Sequence, residues 1–139
     1  MLKKDQIQYL IEEASKARQL AYAPYSQFPV GAALETGDGR IFSGCNIENA
    51  AYGASMCAER VAIFKAVSEG FCDFTALAVV TGPHRAAPCG VCRQVLAEFN
   101  PKMPVIMANL LGEYRLATVS ELLPDAFTRA DLFAKVGKR

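Results

Sequence analysis

The first apolar residues of the chain recur at helical spacing. Over residues 3 to 22 they follow the i, i+3, i+4, i+7 pattern of one helix face, and Pro24 comes soon after. The pattern predicts an amphipathic helix that ends before Pro24. Its apolar positions are Ile7, Leu10, Ile11, Ala14 and Ala21. A helix with one apolar face needs another element, here a sheet, to pack against.

The next apolar segments are short and have the composition of strands. Residues 30 to 35 and 40 to 46 flank a Thr-Gly-Asp-Gly sequence whose glycines can adopt positive φ, so we predict a β-hairpin. Residues 74 to 81, FTALAVVT, form the continuous apolar run expected of a central strand that is covered on both faces.

Two further helices and two short strands complete the pattern. One helix starts at Cys57 and is stopped by Gly70, and another runs from about 90 to 99. Short strands are predicted at residues 105 to 108 and 115 to 119, before a C-terminal segment. The order α-β-β-α-β-α-β-β predicts an α/β fold with one mixed sheet and helices on both sides.

Length, composition and charge narrow the class of protein. The chain has 139 residues, is 52% hydrophobic and contains no repeat or linker, so residues 1 to 139 are predicted to form a single domain. The formal net charge is +1 and the basic residues are scattered, so we do not expect nucleic acid as a partner. We see no leader and no apolar run long enough for a membrane, and therefore expect a cytoplasmic protein.

The chain contains five cysteines, an odd number. In a reducing compartment, cysteines are more often metal ligands, reactive thiols or small core residues than parts of a disulfide framework. We expect Cys45, on a predicted strand, and Cys72, in a connection, to be small structural residues.

The other three cysteines, Cys57, Cys89 and Cys92, lie at the starts of two predicted helices. The free N–H groups and the positive dipole end of a helix start favour thiolate over thiol. Three thiolates form a zinc ligand set, and without a fourth protein ligand the open position belongs to water, as in catalytic zinc sites. Glu59 lies two residues beyond Cys57, where a general acid or base could reach that water.

Neither cysteine motif is decisive alone, because a lone C-x-x-C also occurs in redox pairs and in structural zinc sites. Together, Cys-Ala-Glu at 57 to 59 and Pro-Cys-Gly-Val-Cys at 88 to 92 form the C-x-E … P-C-x-x-C signature of zinc deaminases. With this signature the sequence resembles the small, homotetrameric type of cytidine deaminase. The stretches that carry the resemblance are APYSQFPVGAAL (23–34), GCNIENAAYGASMCAER (44–60), PCGVCRQVLAEF (88–99) and LLPDAF (122–127).

The resemblance implies a fold, an activity and an assembly. The implied fold is a three-layer α/β/α sandwich around a mixed five-stranded sheet. The implied reaction is the zinc-dependent hydrolytic deamination of free cytidine and 2′-deoxycytidine to uridine and 2′-deoxyuridine, with release of ammonia, in pyrimidine salvage. One zinc ion per subunit, a nucleoside substrate and a homotetramer are implied as well.

The resemblance also implies roles for individual residues. Cys57, Cys89 and Cys92 match the zinc ligands, and Glu59 matches the proton shuttle. Arg60 matches a residue that donates to ligand sulfurs and so offsets the negative charge of three thiolates. Asn46 and Glu48 match residues that hydrogen-bond the ribose hydroxyls. Phe28 matches an aromatic residue that packs on the nucleoside, and the Ala58 backbone matches a contact to the base. Phe127 and Tyr52 match aromatic residues lent by neighbouring subunits.

Several of these residues also have ordinary structural interpretations. Glu59 could be an exposed first-turn carboxylate near the helix dipole. His84 could be a fourth zinc ligand, although a loop position near the mouth of the site is favoured. By the same reasoning Arg60 could be a surface charge, Phe28 and Phe127 could be packing residues, and Asn46 and Glu48 could form a polar strand end.

Three functions from different classes follow. The favoured one is a free-nucleoside deaminase, for which nucleotides should be poor substrates because the charge of Glu48 would repel a phosphate. The second is a sister deaminase acting on a cytosine-containing antibiotic such as blasticidin S, against which the Asn46 and Glu48 pair argues. The third is a structural zinc module in which His84, Cys45 or Cys72 closes the fourth position.

Overall fold

A computed structural model describes residues 2–133, and its main helices and strands follow the predicted order. Two short helices are added near the C-terminal end of the described part. Within residues 2–133, no helix combines the length and hydrophobicity needed to cross a membrane. The elements are α1 (Lys4–Arg18), β1 (Gly31–Thr36), β2 (Ile41–Cys45), α2 (Ala58–Ser68), β3 (Phe74–Val80), α3 (Gly90–Phe99), β4 (Pro104–Ala108), β5 (Tyr114–Thr118), α4 (Val119–Leu122) and α5 (Arg129–Phe133).

Helix α1 ends at Arg18, earlier than the sequence predicts, so that Ala21 lies beyond it. After the helix the chain becomes extended. The Tyr22 N–H donates to the Asn46 carbonyl over 2.9 Å, and the Tyr22 carbonyl accepts from the Glu48 N–H over 2.8 Å. These bonds join residues that are distant in sequence, and a local pattern cannot anticipate them.

The five strands form one mixed sheet in the order β2-β1-β3-β4-β5. Strands β3 and β4 are parallel, and the other neighbouring pairs are antiparallel. A parallel pair needs a crossover connection, which α3 supplies. Strand β3 is central and almost completely buried, which confirms the prediction for FTALAVVT.

Helices cover both faces of the sheet and form the outer layers of the sandwich. Helix α1 packs on one face, and α2 and α3 pack on the other. Residues of β3 alternate between the two layers: Ala76, Ala78 and Val80 contact the α1 side, whereas Leu77 and Val79 contact the α2 and α3 side. The predicted α/β/α architecture is confirmed.

Gly44 in β2 allows the sheet and the start of α2 to approach closely. A Cβ atom at Gly44 would lie 2.5 Å from the Ala58 carbonyl oxygen and 2.7 Å from the Ala62 nitrogen. Both atoms belong to the backbone and cannot rotate aside, so a larger residue must push α2 away. Because Cys57 immediately precedes α2, this approach also determines where Cys57 lies.

Gly44→Ala should therefore destabilise the fold. The added methyl group overpacks the contact with α2, and we expect the free energy of unfolding to fall by about 1–3 kcal/mol. Urea unfolding measures the change. Gly53→Ala is the matched control, because a Cβ at Gly53 meets no atom within 4 Å. Equal free energies of unfolding for the two variants would contradict the close approach.

Candidate active site

The sulfur atoms of three cysteines come together from the starts of two helices. Cys57 is the N-cap of α2, Cys89 is the N-cap of α3, and Cys92 lies in the first turn of α3. Helix starts present free N–H groups and positive partial charge. Both helices therefore bring to the sulfurs a field that favours thiolates.

The sulfurs lie at separations that suit a shared zinc ion. Cys57 Sγ is 3.7 Å from Cys89 Sγ, and Cys89 Sγ is 3.5 Å from Cys92 Sγ. Tetrahedral zinc with Zn–S bonds of about 2.3 Å places its sulfurs about 3.8 Å apart. Within residues 2–133, no fourth His, Cys, Asp or Glu side chain joins the group. The donor set fits one zinc ion with an open coordination position.

The residues considered as a fourth ligand lie elsewhere. His84 is in the exposed loop between β3 and α3, Cys45 is half-buried at the end of β2, and Cys72 is exposed. None of them belongs to the sulfur group, so the structural zinc module lacks its closing ligand in the described part of the chain. The expectation that Cys72 fills a structural position is wrong, because its side chain is exposed.

Arg60 stabilises the thiolate form of Cys57. Its Nη2 donates to Cys57 Sγ over 3.3 Å, which is the contact with a sulfur that the family resemblance implied. Hydrogen bonds from Cys92, and then from Arg60 and Cys89, lower the pKa of Cys57 to about 5 despite its partial burial. The neighbouring Cys57 and burial raise the pKa of Cys92. The hydrogen bonds of Cys92, Arg60 and Cys89 therefore favour a negative charge on the Cys57 sulfur.

Glu59 is buried beside the sulfurs, with 5% of its surface exposed. It lies in the first turn of α2 and lines the same pocket as Cys57 and Cys89. Burial raises the pKa of Glu59 to about 7, and the charge of Cys57 acts in the same direction. The interpretation of Glu59 as an exposed first-turn carboxylate is wrong. A carboxyl group with such a pKa can both accept and release a proton.

The pocket that contains this group has a volume of about 540 Å³, which suits a small-molecule ligand. Cys92 is fully buried behind its wall. Sequence reasoning missed Ser26, Met56 and Thr81, which also line the pocket. Ser26 lies two residues before Phe28, but nothing distinguishes it locally from an ordinary loop serine. The lining residues that the sequence singled out are Phe28, Asn46, Glu48, Tyr52, Cys57, Ala58, Glu59, Arg60 and Cys89.

The Asn46 side chain holds the loop that carries Phe28. Its Oδ1 accepts from the Val30 N–H over 2.8 Å, and its Nδ2 donates to the Phe28 carbonyl over 2.9 Å. Both ends of the amide are thus engaged by the backbone. Asn46 is a structural residue of the pocket wall and retains one free proton and one lone pair for a ligand.

The Glu48 carboxylate holds the preceding part of the same loop. It is 8% exposed, and it accepts from the backbone N–H groups of Tyr25 and Ser26, each over 3.0 Å. The Ser26 hydroxyl donates to the other carboxylate oxygen. The Ser26 hydroxyl is the main reason that the pKa of Glu48 is lowered. Glu48 therefore remains a charged group inside the pocket. The alternative interpretation, in which Glu48 is only part of a polar strand end, does not require such a group.

The two aromatic residues expected from neighbouring subunits lie in different places. Tyr52 is on a single turn of 3₁₀ helix and lines the pocket of its own chain. Phe127 is 61% exposed and lines a separate surface depression with Gln94 and residues of α5. The Gln94 side chain donates to the Phe127 carbonyl over 2.8 Å. Within a single chain, the pocket includes Tyr52 but not Phe127.

Comparison with known proteins identifies the family. Residues 4–108 match the family model described as the cytidine and deoxycytidylate deaminase zinc-binding region. The chain belongs to this family. A cytidine deaminase from Sporosarcina psychrophila is 57% identical over 130 residues, which cover 91% of this chain and 94% of the relative.

Structural comparison agrees with the family. A crystal structure of cytidine deaminase from Burkholderia pseudomallei matches with a TM-score of 0.84 and 49% identity, covering 91% of this chain and 100% of that chain. A blasticidin-S deaminase from Bacillus cereus is 32% identical over 129 residues, which cover 86% of this chain and 91% of the relative. The family and fold that the resemblance implied are confirmed. The family model describes a zinc-binding region, and the cluster of three cysteines fits a zinc ion.

Each of the three clustered cysteines should be required for zinc. Replacing Cys57, Cys89 or Cys92 by Ala leaves two thiols, and zinc per chain should fall from about one to near zero after dialysis. Cys45→Ala and Cys72→Ala are matched controls that should keep the metal, because both thiols lie outside the cluster. Atomic absorption of the dialysed proteins gives the answer. Full zinc in a ligand variant would rule out this ligand set.

Proposed function

We propose that the protein catalyses the zinc-dependent hydrolytic deamination of free cytidine and 2′-deoxycytidine to uridine and 2′-deoxyuridine, releasing ammonia. The strongest support is the buried carboxyl group of Glu59 beside three cysteine sulfurs in one pocket of small-molecule size. The names of the cytidine deaminases to which the chain is similar point to the same substrate. We further propose that the chain forms a single catalytic domain, and that the protein acts in the cytoplasm in pyrimidine salvage.

Deamination replaces the exocyclic amine at C4 of cytosine by oxygen, and Glu59 carries the protons. A zinc ion held by Cys57, Cys89 and Cys92 would supply an activated water molecule for attack on C4. Glu59 takes one proton from the attacking water and delivers it to ring N3. It then transfers the remaining hydroxyl proton to the departing amine, so that the C4–N bond breaks and ammonia leaves. The Ala58 backbone contacts the base.

Arg60 supports the cluster without touching the reacting atoms. Three thiolates would make the metal a weaker Lewis acid and would raise the pKa of its water. The guanidinium of Arg60 donates to Cys57 Sγ and draws negative charge away from that sulfur. Arg60 would therefore help a zinc ion held by these sulfurs to activate water.

Asn46 and Glu48 would bind the sugar hydroxyls through the amide proton and the carboxylate lone pair that are not hydrogen-bonded to the loop. Asn46 keeps one amide proton, and one carboxylate oxygen of Glu48 keeps a lone pair. Phe28 supplies apolar surface for the nucleoside. The negative charge of Glu48 would repel a phosphate on the sugar, so the free nucleoside is favoured over the nucleotide.

The active form is a homo-oligomer in this proposal, with the tetramer of the resembling family as the expected size. The support is Phe127, whose exposed ring is absent from the pocket of its own chain and is available to a neighbouring one. Tyr52 already lines the pocket of its own chain, so a role in a neighbouring subunit has less support for Tyr52 than for Phe127.

Zinc-loaded wild-type protein should release ammonia from cytidine and 2′-deoxycytidine, and hardly any from cytidine monophosphate or blasticidin S. Glu59→Gln should keep its zinc and lose turnover by about 10²–10⁴-fold, because an amide cannot shuttle protons. Glu69→Gln, which changes an exposed carboxylate at the other end of the same helix, is the control that should stay active. Ammonia release and zinc content are measured on all three proteins.

Each remaining outcome of this experiment contradicts the proposal in a distinct way. Inactivity on all four compounds, with one tightly held zinc per chain, would favour a structural zinc module. Turnover of blasticidin S alone would favour the sister deaminase. Equal turnover of cytidine and its monophosphate would contradict the role given to the charge of Glu48.

Phe127→Ala should keep zinc and oligomeric state but lower kcat/KM for cytidine by about tenfold or more, the scale expected when a buried aromatic contact is removed. Leu111→Ala is the control, because Leu111 is even more exposed and lies outside the pocket. Steady-state kinetics are combined with sedimentation analysis of each variant. Full activity of Phe127→Ala, or of a proven monomer, would remove the proposal that subunits share the pocket.

A further inference from the structure

A directed chain of hydrogen bonds runs through Ser26 in the pocket wall. The Phe28 backbone N–H donates to Ser26 Oγ over 3.1 Å, and the Ser26 hydroxyl donates to a Glu48 carboxylate oxygen. A backbone N–H can only donate, and an ionised carboxylate can only accept. The single proton of the Ser26 hydroxyl therefore points at Glu48, and the direction of the whole chain is set.

The hydrogen bonds that Glu48 accepts determine how many of its lone pairs remain free for a ligand. Its Oε1 accepts from two backbone N–H groups, those of Tyr25 and Ser26, and so uses both of its lone pairs. Its Oε2 accepts only the Ser26 hydroxyl among the described residues. One lone pair remains, and the direction of the Ser26 bond determines where it points.

The backbone of this loop is held in an unusual conformation. Gln27, between Ser26 and Phe28, has φ of 55°, a left-handed value that is uncommon for a residue other than glycine. The Gln27 N–H donates to the Ala23 carbonyl over 3.0 Å, which closes a tight turn. Such conformations persist when surrounding contacts impose them. Here the contacts are the Ser26 hydroxyl on one side of Gln27 and the Asn46 amide on the other.

We propose that Ser26 is a positioning residue for substrate binding, which orients the Glu48 carboxylate toward the sugar hydroxyls. This inference rests on the proposed function, because it takes Glu48 as a group that contacts the sugar. Ser26 acts through Glu48 and takes no part in proton transfer. Its loss should therefore weaken substrate binding more than it slows the chemical step.

The test is the effect of Ser26→Ala on substrates with and without sugar hydroxyls. For cytidine, KM should rise by about tenfold and kcat should fall by less than about threefold, because the lost hydrogen bond supports the sugar-binding carboxylate and not the group that transfers protons. For 2′,3′-dideoxycytidine, which lacks both ring hydroxyls, KM should change by no more than about twofold. Ser26→Thr keeps the hydroxyl and should restore the KM for cytidine.

Two controls separate positioning from a general loss of structure. Ser68→Ala removes a hydroxyl that bonds a backbone carbonyl, that of Lys65, at the exposed end of α2 outside the pocket, and its KM values should stay at wild-type level. In a Glu48→Gln background, Ser26→Ala should have little further effect on KM for cytidine, because residues that act as one unit are not additive. Zinc content and circular dichroism verify that each variant is folded and loaded.

The outcomes keep this inference distinct from the proposed function. Wild-type protein that does not deaminate cytidine contradicts the proposed function and removes the basis of the inference. Active wild-type protein with an unchanged KM in Ser26→Ala overturns the inference alone. An equal rise in KM for cytidine and 2′,3′-dideoxycytidine, or additive effects with Glu48→Gln, would also overturn it, because Ser26 would then not act through Glu48.

Discussion

The convergence of three cysteine sulfurs is the constraint on which the rest of the structure depends. Thiolates at these separations repel one another, and burial removes part of their hydration. Two helix starts and the guanidinium of Arg60 offset that cost, and a bound zinc ion would offset most of it. A helix dipole acts only within its first turn. This short range explains why a cysteine is the N-cap of both helices.

The pocket contains two buried carboxyl groups whose environments move their pKa values in opposite directions. Glu59 lies beside the negative sulfur cluster, and burial raises its pKa to about 7. Glu48 accepts two backbone N–H groups and a hydroxyl, which lower its pKa. Glu59 can therefore exchange protons near neutral pH, whereas Glu48 stays charged and can only accept hydrogen bonds. Two residues of one type therefore differ in charge and in hydrogen-bonding capacity because of their surroundings.

Local patterns predicted the features that depend on local sequence. The continuous apolar run identified β3 as the central strand, and the cysteines at two helix starts identified the metal site, because a helix cap is encoded within a few residues. The end of α1 was not predicted, since the bonds of Tyr22 to residues 46 and 48 are long-range. The same reason applies to Ser26, whose partner Glu48 is far along the chain. The match to an aromatic residue lent by a neighbouring subunit stays a prediction for Tyr52, which in the single chain lines its own pocket.

The loop between β2 and α2 connects the polar pocket residues, Asn46 and Glu48, to Cys57 of the sulfur cluster. Asn46 and Glu48 follow β2, and Cys57 precedes α2. Between them, Ile47 and Met56 form an isolated antiparallel bridge with N–H to carbonyl distances of 3.0 and 2.9 Å. Ile47 lies between Asn46 and Glu48, and Met56 adjoins Cys57, so the bridge ties the polar groups to the sulfur cluster through the backbone. Main-chain hydrogen bonds therefore fix how far the backbone that carries the polar side chains lies from the backbone that carries the sulfur cluster.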